Sequence, residues 1–255
     1  MMPAATQRLD IIIPVYNEGA NILATLQSVM RAVRTPARVL ICYDREDDDT
    51  LSAVEKHRDA LRALPIVFVR NRGRGAHGAV LSGFAASEAP LAVVLPADDD
   101  YNAGILDAMV TQAEAGCDIV CASRFMPGGS MVGCPWLKAV LLRAGNFTLY
   151  HFARLPTRDA SNGFRLFTRR VMDQIAVESD RGFCYSIELL AKCHRLGWRV
   201  GEVPARWFER TRGASRFQVI RWLPAYLRWY LYAFATTYLR RPARSVPKKA
   251  PLNTV

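Results

Sequence analysis

Three consecutive aspartates, Asp98, Asp99 and Asp100, follow directly after the apolar run 91–95 and a proline. Like charges about 5 Å apart repel by roughly 3 kcal/mol at an effective dielectric near 20, so the run needs a compensating partner. Mg²⁺ and Mn²⁺ take oxygen ligands, and Mg²⁺ sites typically combine one or two carboxylates with substrate phosphates. In an extended segment Asp98 and Asp100 face the same side and Asp99 the other. The pattern therefore predicts Asp98 and Asp100 as ligands of Mg²⁺ or Mn²⁺.

The same run has a simpler interpretation, in which Asp100 or Asn102 caps a helix that begins near Ala103. A short polar side chain at such a position accepts a hydrogen bond from a backbone N–H of the first helical turn. One residue is enough for that purpose, and three carboxylates in a row exceed it. We therefore favour the metal site over the helix cap.

Five apolar runs with the length and composition of strands alternate with helix-like segments in the first half of the chain. They span residues 9–14, 38–43, 66–69, 91–95 and 118–122. Short runs of this kind spaced by helices predict an α/β fold with a mostly parallel sheet flanked by helices. Such folds bind ligands beyond the carboxyl ends of their strands. We therefore expect the functional residues in the segments that follow, which read PVYNEGAN, YDREDDDT, RNRGRGAHG, PADDDYN and SRFMPGGS.

Several familiar site motifs are missing from the sequence. It contains no GxxxxGK[ST] phosphate loop, and its first strand–helix turn lacks GxGxxG, which argues against a dinucleotide site. GRGAHG at residues 73–78 is glycine-rich but is a weak motif by itself. The four histidines show no ligand spacing and the six cysteines form no CxxC pair. We interpret the histidines as surface or satisfied residues and the cysteines as reduced and buried, which suits the cytosol.

The positive charge of the chain is concentrated towards its C-terminal end. The net charge is +11, and from Arg199 onward ten arginines and two lysines meet only Glu202 and Glu209. Residues 219–239 are dense in Trp, Tyr and Leu, but their longest uncharged run has 11 residues. That run is too short to cross a bilayer core of about 30 Å, and an aromatic, arginine-bearing helix fits the membrane interface instead. The alternatives are a helix packed on its own domain or at a homo-oligomer contact.

Six stretches of the chain, in their order and spacing, carry a family resemblance: IIIPVYNEGANI, CYDREDDDT, VVLPADDDYN, DIVCASRFMPGGS, DASNGFRLF and FCYSIELLAKCHRLGWRVGEVPARWFERTRGASRF. Together they resemble the family-2 glycosyltransferases of GT-A fold, and more narrowly the dolichyl- and polyprenyl-phosphate sugar synthases. The resemblance runs from about residue 9 to 217. It implies the transfer of a sugar, with inversion, from a nucleotide-sugar to a lipid phosphate, with Mg²⁺ or Mn²⁺ as cofactor.

The resemblance also implies roles for individual residues. The positions that hold the nucleoside in the family correspond here to Pro14, Tyr16, Glu18 and Asp44. Asp98 corresponds to the central metal-binding aspartate, and Asp100 stands where a Gln, Asp or Ser is found. The sequence departs from the family at Pro96, which replaces its leading aspartate, and at Tyr43, which replaces the first residue of its Asp-Asp pair.

Further resemblances concern the phosphates and the sugar. Arg124 resembles the family's basic residue near the transferred phosphate, and Asp159 matches an aspartate placed near the sugar. The segment RTRGASR resembles one that closes over the diphosphate or the lipid phosphate, and its relevant residues are Arg210, Ser215 and Arg216. Arginine at position 216 keeps the charge of the commoner lysine and adds a fork geometry suited to phosphate. The catalytic residues so implied are Asp159, Arg124 and Arg210.

The need for a general base depends on the acceptor. A lipid phosphate is already an anion near neutral pH, whereas an alcohol would need a base to remove its proton. Asp159 and Glu188 are the candidates for that role, and we prefer Asp159. The alternative for Glu188 is an ion pair with Lys192 at i+4, and for Asp159 a turn cap or a partner for Arg165.

Length and composition complete the expected organisation. A chain of 255 residues, 51% hydrophobic and 22% charged, has a globular composition. We expect a catalytic domain over 1–217, an amphipathic membrane-interface segment over 218–240 and a basic flexible tail over 241–255. Residues 1–8 lack the apolar core of a signal peptide.

The favoured hypothesis is a metal-dependent polyprenyl-phosphate glycosyltransferase, peripheral at the cytoplasmic face of a membrane. Its partners are a nucleotide-sugar donor of the GDP-mannose or UDP-hexose type, a lipid-phosphate acceptor and the membrane surface. A second hypothesis is a related transferase with a soluble or polysaccharide acceptor. A third is a non-catalytic nucleotide- or nucleic-acid-binding module. Against a nucleic-acid partner, the charge is interleaved with Trp and Tyr, and no nucleic-acid-binding signature is present.

Overall fold

Strands and helices alternate along the first 123 residues, as the apolar runs predict. The computed structural model describes residues 7–209 and 219–249, with the backbone alone at 219–223. The described strands are β1 (Leu9–Pro14), β2 (Ala37–Tyr43), β3 (Ile66–Arg70), β4 (Leu91–Val94), β5 (Ile119–Ser123), β6 (Ser130–Val132), β7 (Arg165–Thr168), β8 (Val200–Pro204) and β9 (Arg206–Phe208). The described helices are α1 (Ile22–Ala32), α2 (Asp49–Lys56), α3 (Gly75–Ala86), α4 (Leu106–Glu114), α5 (Trp136–His151), α6 (Arg169–Gln174), α7 (Cys184–Leu196) and α8 (Val219–Tyr238).

Seven of these strands form one sheet in the order β3-β2-β1-β4-β7-β5-β8. All neighbouring strands in it are parallel except β7, which runs antiparallel to both β4 and β5. The strands β6 and β9 pair separately as a short parallel ladder. Because β1, β2, β4 and β5 point the same way, the segments that follow them meet at one edge of the sheet.

Helices cover both faces of the sheet, and successive strand residues face opposite layers. Ile11 and Ile13 of β1 pack with apolar residues of α1, α2 and α4. Ile12, between them, packs in the other layer, with residues of α3, α6 and α7. The central strands are therefore buried on both sides, which explains why their sequences are continuously apolar rather than alternating.

The helix expected at the membrane interface is attached to the catalytic domain. Trp229 and Ala233 of α8 are each 1% exposed and belong to the same apolar core as α7. The expected boundary at residue 218 therefore does not separate two independent packing units. In the described part of the chain, the helices fall short of the length and apolarity that a membrane crossing requires.

The described residues of the basic tail, 241–249, contact the domain. Val246 is 6% exposed and lies in the core beside α7. Lys248 forms an antiparallel bridge with Ile175, and Lys249 N donates to Gln174 O at 3.0 Å. Backbone pairing and one apolar anchor outweigh the repulsion among the basic side chains, which is screened at the surface.

Candidate active site

The turn after β1 is shaped by the acidic run that begins α2. Asn17, whose φ is 53°, donates its backbone N–H to Asp48 Oδ2 at 3.0 Å. Gly19 N donates to Asp49 Oδ1 at 2.9 Å. A Cβ at position 19 would lie 3.0 Å from the Asp49 carbonyl oxygen, so this close approach requires glycine. Asp48 and Asp49 therefore hold the turn that carries Tyr16.

A cavity of about 160 Å³ opens beside this turn. Its lining residues are Tyr16, Asn17, Arg45, Asp47 and Asp48. The Tyr16 side chain is 40% exposed, and Arg45 forms two hydrogen bonds with Asp47 at 2.7 and 2.6 Å. An aromatic face with polar groups around it suits a planar, hydrogen-bonding ligand such as a nucleobase.

The other residues predicted to bind the nucleotide lie at the end of β1 and in the turns after β1 and β2. Pro14 ends β1, and the Glu18 carboxylate accepts a hydrogen bond from Asn21 Nδ2 at 2.7 Å. Asp44 accepts a hydrogen bond from the amide of Asn71, a residue that follows β3. Of the four, Tyr16 is the residue that lines the cavity. Pro14, Glu18 and Asp44 lie at the same sheet edge, and their roles in nucleotide binding stay predictions.

Asn71 is a residue that the sequence interpretation missed, and it explains the glycine-rich segment after β3. Its Oδ1 accepts the Gly73 N–H at 2.8 Å, and its Nδ2 donates to Gly75 O at 3.1 Å. A Cβ at Gly78 would lie 2.7 Å from Asn71 Oδ1. Gly78 therefore makes room for Asn71, which in turn positions Asp44.

The acidic segment after β4 is a tight turn, not the extended segment that the alternation argument assumed. Asp99 N donates to Pro96 O at 3.2 Å, which closes the turn. Two side chains of α1 hold its backbone, since Thr25 Oγ1 donates to Ala97 O and Ser28 Oγ to Asp100 O, both at 2.8 Å.

The Asp99 side chain binds Asn102. Its Oδ1 accepts the Asn102 backbone N–H at 3.0 Å, and its carboxylate accepts Asn102 Nδ2 at 2.7 and 2.9 Å. Burial raises the pKa of Asp99 to about 6, against the lowering effect of these hydrogen bonds. Asp99 thus shapes the turn and leaves Asp98 and Asp100, both half-buried, as the candidate ligands.

The donor set of the turn fits a divalent cation that shares its ligands with a substrate. Asp98 and Asp100 offer hard carboxylate oxygens, which Mg²⁺ and Mn²⁺ prefer. Among the residues that the structure describes, no cluster of three or more His, Cys, Asp or Glu side chains could hold a metal by itself. One or two carboxylates completed by phosphate oxygens is the usual composition of a Mg²⁺ site in enzymes of phosphorylated substrates.

Arg124, directly after β5, forms a buried ion pair with Asp159. Its Nε donates to Asp159 Oδ2 at 2.7 Å, its Nη2 to Oδ1 at 2.9 Å, and its backbone N–H to Oδ2 at 3.0 Å. Asp159 also accepts from Ser161 Oγ at 2.9 Å and from the Asn162 backbone N–H at 3.1 Å. Burial by itself raises the pKa of Asp159, but the Arg124 guanidinium and these hydrogen bonds outweigh it and lower the pKa.

The alternative roles considered for Asp159 and Glu188 can be compared with these contacts. Asp159 caps the turn at 161–162, and its ionic partner is Arg124; Arg165 reaches only its carbonyl oxygen, at 3.3 Å. Glu188 accepts from Lys192 Nζ at 2.6 Å, as the i+4 alternative predicts, and both side chains are fully buried. Glu188 also accepts the backbone N–H groups of Glu178 and Ser179 at 2.6 and 2.8 Å, so it has a structural role that joins α7 to the segment before it.

The acidic turn and Arg124 lie at the same edge of the sheet, whereas the RTRGASR segment lies outside the described residues. The acidic turn and Arg124 lie at the carboxyl ends of β4 and β5, which are separated by β7 alone. The predicted phosphate-binding residues of the RTRGASR segment fall in the stretch 210–218, which the structure does not describe; they are Arg210, Ser215 and Arg216.

Comparison with known proteins connects this geometry with an enzyme family. The family model "Glycosyl transferase family 2" matches residues 10–176. The polyprenol monophosphomannose synthase of Mycolicibacterium smegmatis is 29% identical over 217 residues, which cover 83% of this chain and 81% of that protein. An uncharacterized glycosyltransferase of Mycobacterium tuberculosis is 28% identical over 212 residues, covering 83% of this chain and 90% of the relative.

Solved structures confirm the architecture. The glucosyl-3-phosphoglycerate synthase of Mycobacterium tuberculosis, crystallised with Mn²⁺, uridine diphosphate and glucosyl-3-phosphoglycerate, superposes with a TM-score of 0.62. Its sequence is 16% identical, and the alignment covers 91% of this chain and 80% of that one. At this identity the likeness concerns the fold, and it confirms the predicted GT-A architecture. The family model spans well over half of the chain, and we conclude that the protein is a glycosyltransferase and belongs to glycosyl transferase family 2.

Proposed function

We propose that the protein transfers a hexose from a nucleotide-sugar to a polyprenyl phosphate, with a divalent cation bound by Asp98 and Asp100. The observation that carries the proposal is the acidic turn after β4, held two strands from the buried Arg124 at one sheet edge. This pairing suits a diphosphate leaving group and an anionic acceptor. The similarity to polyprenol monophosphomannose synthase over 83% of the chain supports a lipid-phosphate acceptor.

The donor is held by the turns after β1 and β2. The cavity beside Tyr16 receives the nucleobase, and the diphosphate extends towards the acidic turn. A divalent cation at Asp98 and Asp100 would stabilise the charge that develops on the leaving diphosphate. The half-buried position of both carboxylates supports this role, since they remain accessible to a ligand.

Arg124 binds the acceptor phosphate, and Asp159 positions Arg124. The guanidinium uses Nε and Nη2 for Asp159, and Nη1 has no hydrogen-bond partner among the described residues. Asp159 accepts five or more hydrogen bonds and its pKa is lowered, so it is a poor base. The acceptor phosphate is an anion near neutral pH and attacks without proton removal.

A membrane surface is the proposed source of the acceptor, and α5 provides its docking face. The exposed apolar residues of α5 recur at helical spacing on one side; they are Trp136, Leu137, Val140, Leu141 and Phe147. A contiguous patch of this kind marks an interaction site. Arg143 on the same helix suits anionic headgroups. We place the protein peripherally at the cytoplasmic face.

The helix α5 also contacts both the catalytic turn and α8. Asn146 Oδ1 accepts the Ala160 N–H at 2.7 Å, next to Asp159. Thr148 and Tyr230 share a hydrogen bond of 2.7 Å between their hydroxyls, and Leu227 and Leu231 flank Tyr230 as further exposed apolar residues. A membrane under α5 would therefore lie close to the acceptor end of the site.

A transfer assay tests the proposal. Purified protein is incubated with radiolabelled GDP-mannose, UDP-glucose or other nucleotide-sugars, Mn²⁺, and undecaprenyl or dolichyl phosphate. We expect a lipid-linked product from one donor, and at least a 100-fold loss in Asp98→Ala and in EDTA, because the cation stabilises the leaving group. Lys56→Ala, a change at the C-terminal end of α2, the end opposite to Asp48 and Asp49, serves as the matched control. Product formed only on soluble acceptors, or undiminished in EDTA, would contradict the proposal.

A further inference from the structure

Asn102 connects the acidic turn to a strand 104 residues later in the chain. Its Oδ1 accepts the Arg206 backbone N–H at 2.9 Å, and its Nδ2 donates to the Arg206 carbonyl oxygen at 2.8 Å. Both halves of the amide therefore bind one residue of β9, in the manner of a neighbouring strand. The side chain belongs to a residue that is 3% exposed, so water does not replace these bonds.

The same amide also binds the acidic turn. Asn102 Nδ2 donates to both carboxylate oxygens of Asp99, at 2.9 and 2.7 Å, and its backbone N–H donates to Asp99 Oδ1. Asp99 lies between the two candidate metal ligands. Any shift of β9 relative to the sheet is therefore transmitted to the residue that sets the conformation of the turn.

The bonds to α1 and to Asn102 hold opposite sides of the turn. Thr25 and Ser28 of α1 bind the carbonyl oxygens of Ala97 and Asp100. The contact between the Tyr101 and Phe208 rings, whose centroids are 4.7 Å apart, adds to the attachment on the β9 side. Asn102 is the buried polar link on that side, and no helix-capping hydrogen bond competes for its side chain.

We infer that Asn102 is a positioning residue that fixes the acidic turn on β9 and thereby sets the affinity of the Asp98–Asp100 pair for its cation. The inference rests on the proposed function, since that function assigns the cation to this turn. A loosened turn must order both carboxylates when the cation binds, and this ordering weakens binding. Because the coupling is reciprocal, cation binding should also protect the contact between Asn102 and β9.

The first measurement is the affinity for Mn²⁺ alone and with GDP or UDP, by isothermal titration of wild type and Asn102→Ala. We expect the Mn²⁺ dissociation constant of Asn102→Ala to rise by about tenfold, the cost of one lost buried hydrogen bond to a charged or backbone group. Gln112→Ala is the matched control, because Gln112 Nε2 donates to the Glu202 carbonyl of β8 at 3.0 Å without touching the turn. It should lose comparable thermal stability and keep its Mn²⁺ affinity.

The second measurement needs no variant and covers the case in which Asn102→Ala does not fold. Hydrogen exchange of the Arg206 amide is followed in wild-type protein with and without Mn²⁺ and nucleoside diphosphate. We expect exchange to slow by about tenfold on binding, whereas the Val203 amide in β8 should not change. In folded Asn102→Ala, Arg206 should exchange faster in the absence of metal.

The outcomes distinguish a failure of the positioning role from a failure of the proposed function. Equal Mn²⁺ affinity in Asn102→Ala and wild type, or an Arg206 amide that does not respond to Mn²⁺, overturns the positioning role and leaves the proposed function intact. Wild-type protein that binds Mn²⁺ and nucleotide but transfers no sugar overturns the proposed function and leaves the role of Asn102 intact. Wild-type protein that does not bind Mn²⁺ overturns both.

Discussion

In the proposed function, the buried Asp159 supports the site without acting as its base. It is fully buried, carries the charge that balances Arg124, and accepts bonds from the turn at 161–162. A base must hold a lone pair free for the proton, whereas these oxygens are already engaged. The proposed function therefore assigns to Asp159 the orientation of Arg124.

A double-mutant cycle distinguishes the two roles of Asp159. We expect Asp159→Asn and Arg124→Met each to lower kcat by about 100-fold, the usual effect of removing one charge-stabilising donor. Because both changes disable the same guanidinium, the double variant should be no slower than Arg124→Met within about twofold. Multiplication of the two losses would show that Asp159 acts independently. Thermal unfolding of each variant checks that the fold is retained.

Asp99 gives the acidic turn a pH-dependent stability. Its pKa is about 6 in the folded protein and 3.8 in the reference state, so the folded chain holds the proton more tightly. Ionisation of Asp99 therefore removes stability as the pH rises from about 4 to 6. Asp99→Asn cannot ionise.

The metal-free proteins test this effect. Wild type should lose about 2 kcal/mol of its free energy of unfolding between about pH 4.5 and 7.5 through Asp99, and Asp99→Asn should not. The stability of the variant relative to wild type should therefore rise by that amount. Urea titrations at the two pH values give the comparison. A difference that does not change with pH would contradict the raised pKa of Asp99.

At the scale of elements, a buried ion pair of α7 lies against α8. Lys192 Nζ contacts Glu188 at 2.6 Å, Glu178 at 2.8 Å and the Ala176 carbonyl at 2.6 Å. Its ammonium also lies 5.1 Å from the Trp229 ring centroid of α8. All three donor positions of the ammonium are therefore satisfied, as a buried charge requires.

Removal of one partner of this buried ion pair should lower the stability of the fold. Lys192→Ala leaves the Glu188 carboxylate buried without its counter-ion, and we expect the free energy of unfolding to fall by about 3–5 kcal/mol. Arg58→Ala is the matched control, because the Arg58–Glu55 pair has the same kind of charges at the surface and is worth under about 1 kcal/mol. Urea unfolding followed by tryptophan fluorescence provides the measurement. An equal effect of the two substitutions would refute the importance of the buried pair.

At the scale of the whole molecule, the exposed apolar residues are concentrated on α5, on the side of the sheet that α8 also covers. Trp136 is 76% exposed and Leu141 is 64% exposed. Because Trp229 and Ala233 of α8 are buried, truncation of the chain before α8 would open the core. Membrane binding is therefore better tested by substitutions on α5.

Glutamates introduced on the exposed face of α5 should weaken the binding of the protein to membranes. We expect Trp136→Glu/Leu141→Glu to lower partitioning onto vesicles of phosphatidylcholine and phosphatidylglycerol by at least tenfold, because each substitution removes apolar burial and adds repulsion from anionic lipid. Val67→Glu on the edge strand β3, where the valine is 41% exposed, is the control. Co-sedimentation measures the partitioning. Unchanged binding of the double variant, with or without loss in the control, would exclude α5 as the docking face.

The sequence by itself determined the fold class, the enzyme family and the sheet edge at which the site lies. Continuous apolar runs define buried parallel strands, and a parallel sheet brings the segments after its strands to one edge. The bounds of β1 are those of the apolar run at 9–14. These features depend on neighbours in sequence.

Only the tertiary structure decided the contacts between distant segments. These contacts are the antiparallel insertion of β7, the pairing of Asp159 with Arg124, the hydrogen bonds of Asp48 and Asp49 to the turn after β1, and the bond from Asn102 to β9. They join residues that lie 30 to 104 positions apart. The same holds for the tail, whose basic composition suggested flexibility although Val246 and backbone pairing attach it to the domain. Side-chain partners across such separations are selected by packing geometry, which local residue patterns do not encode.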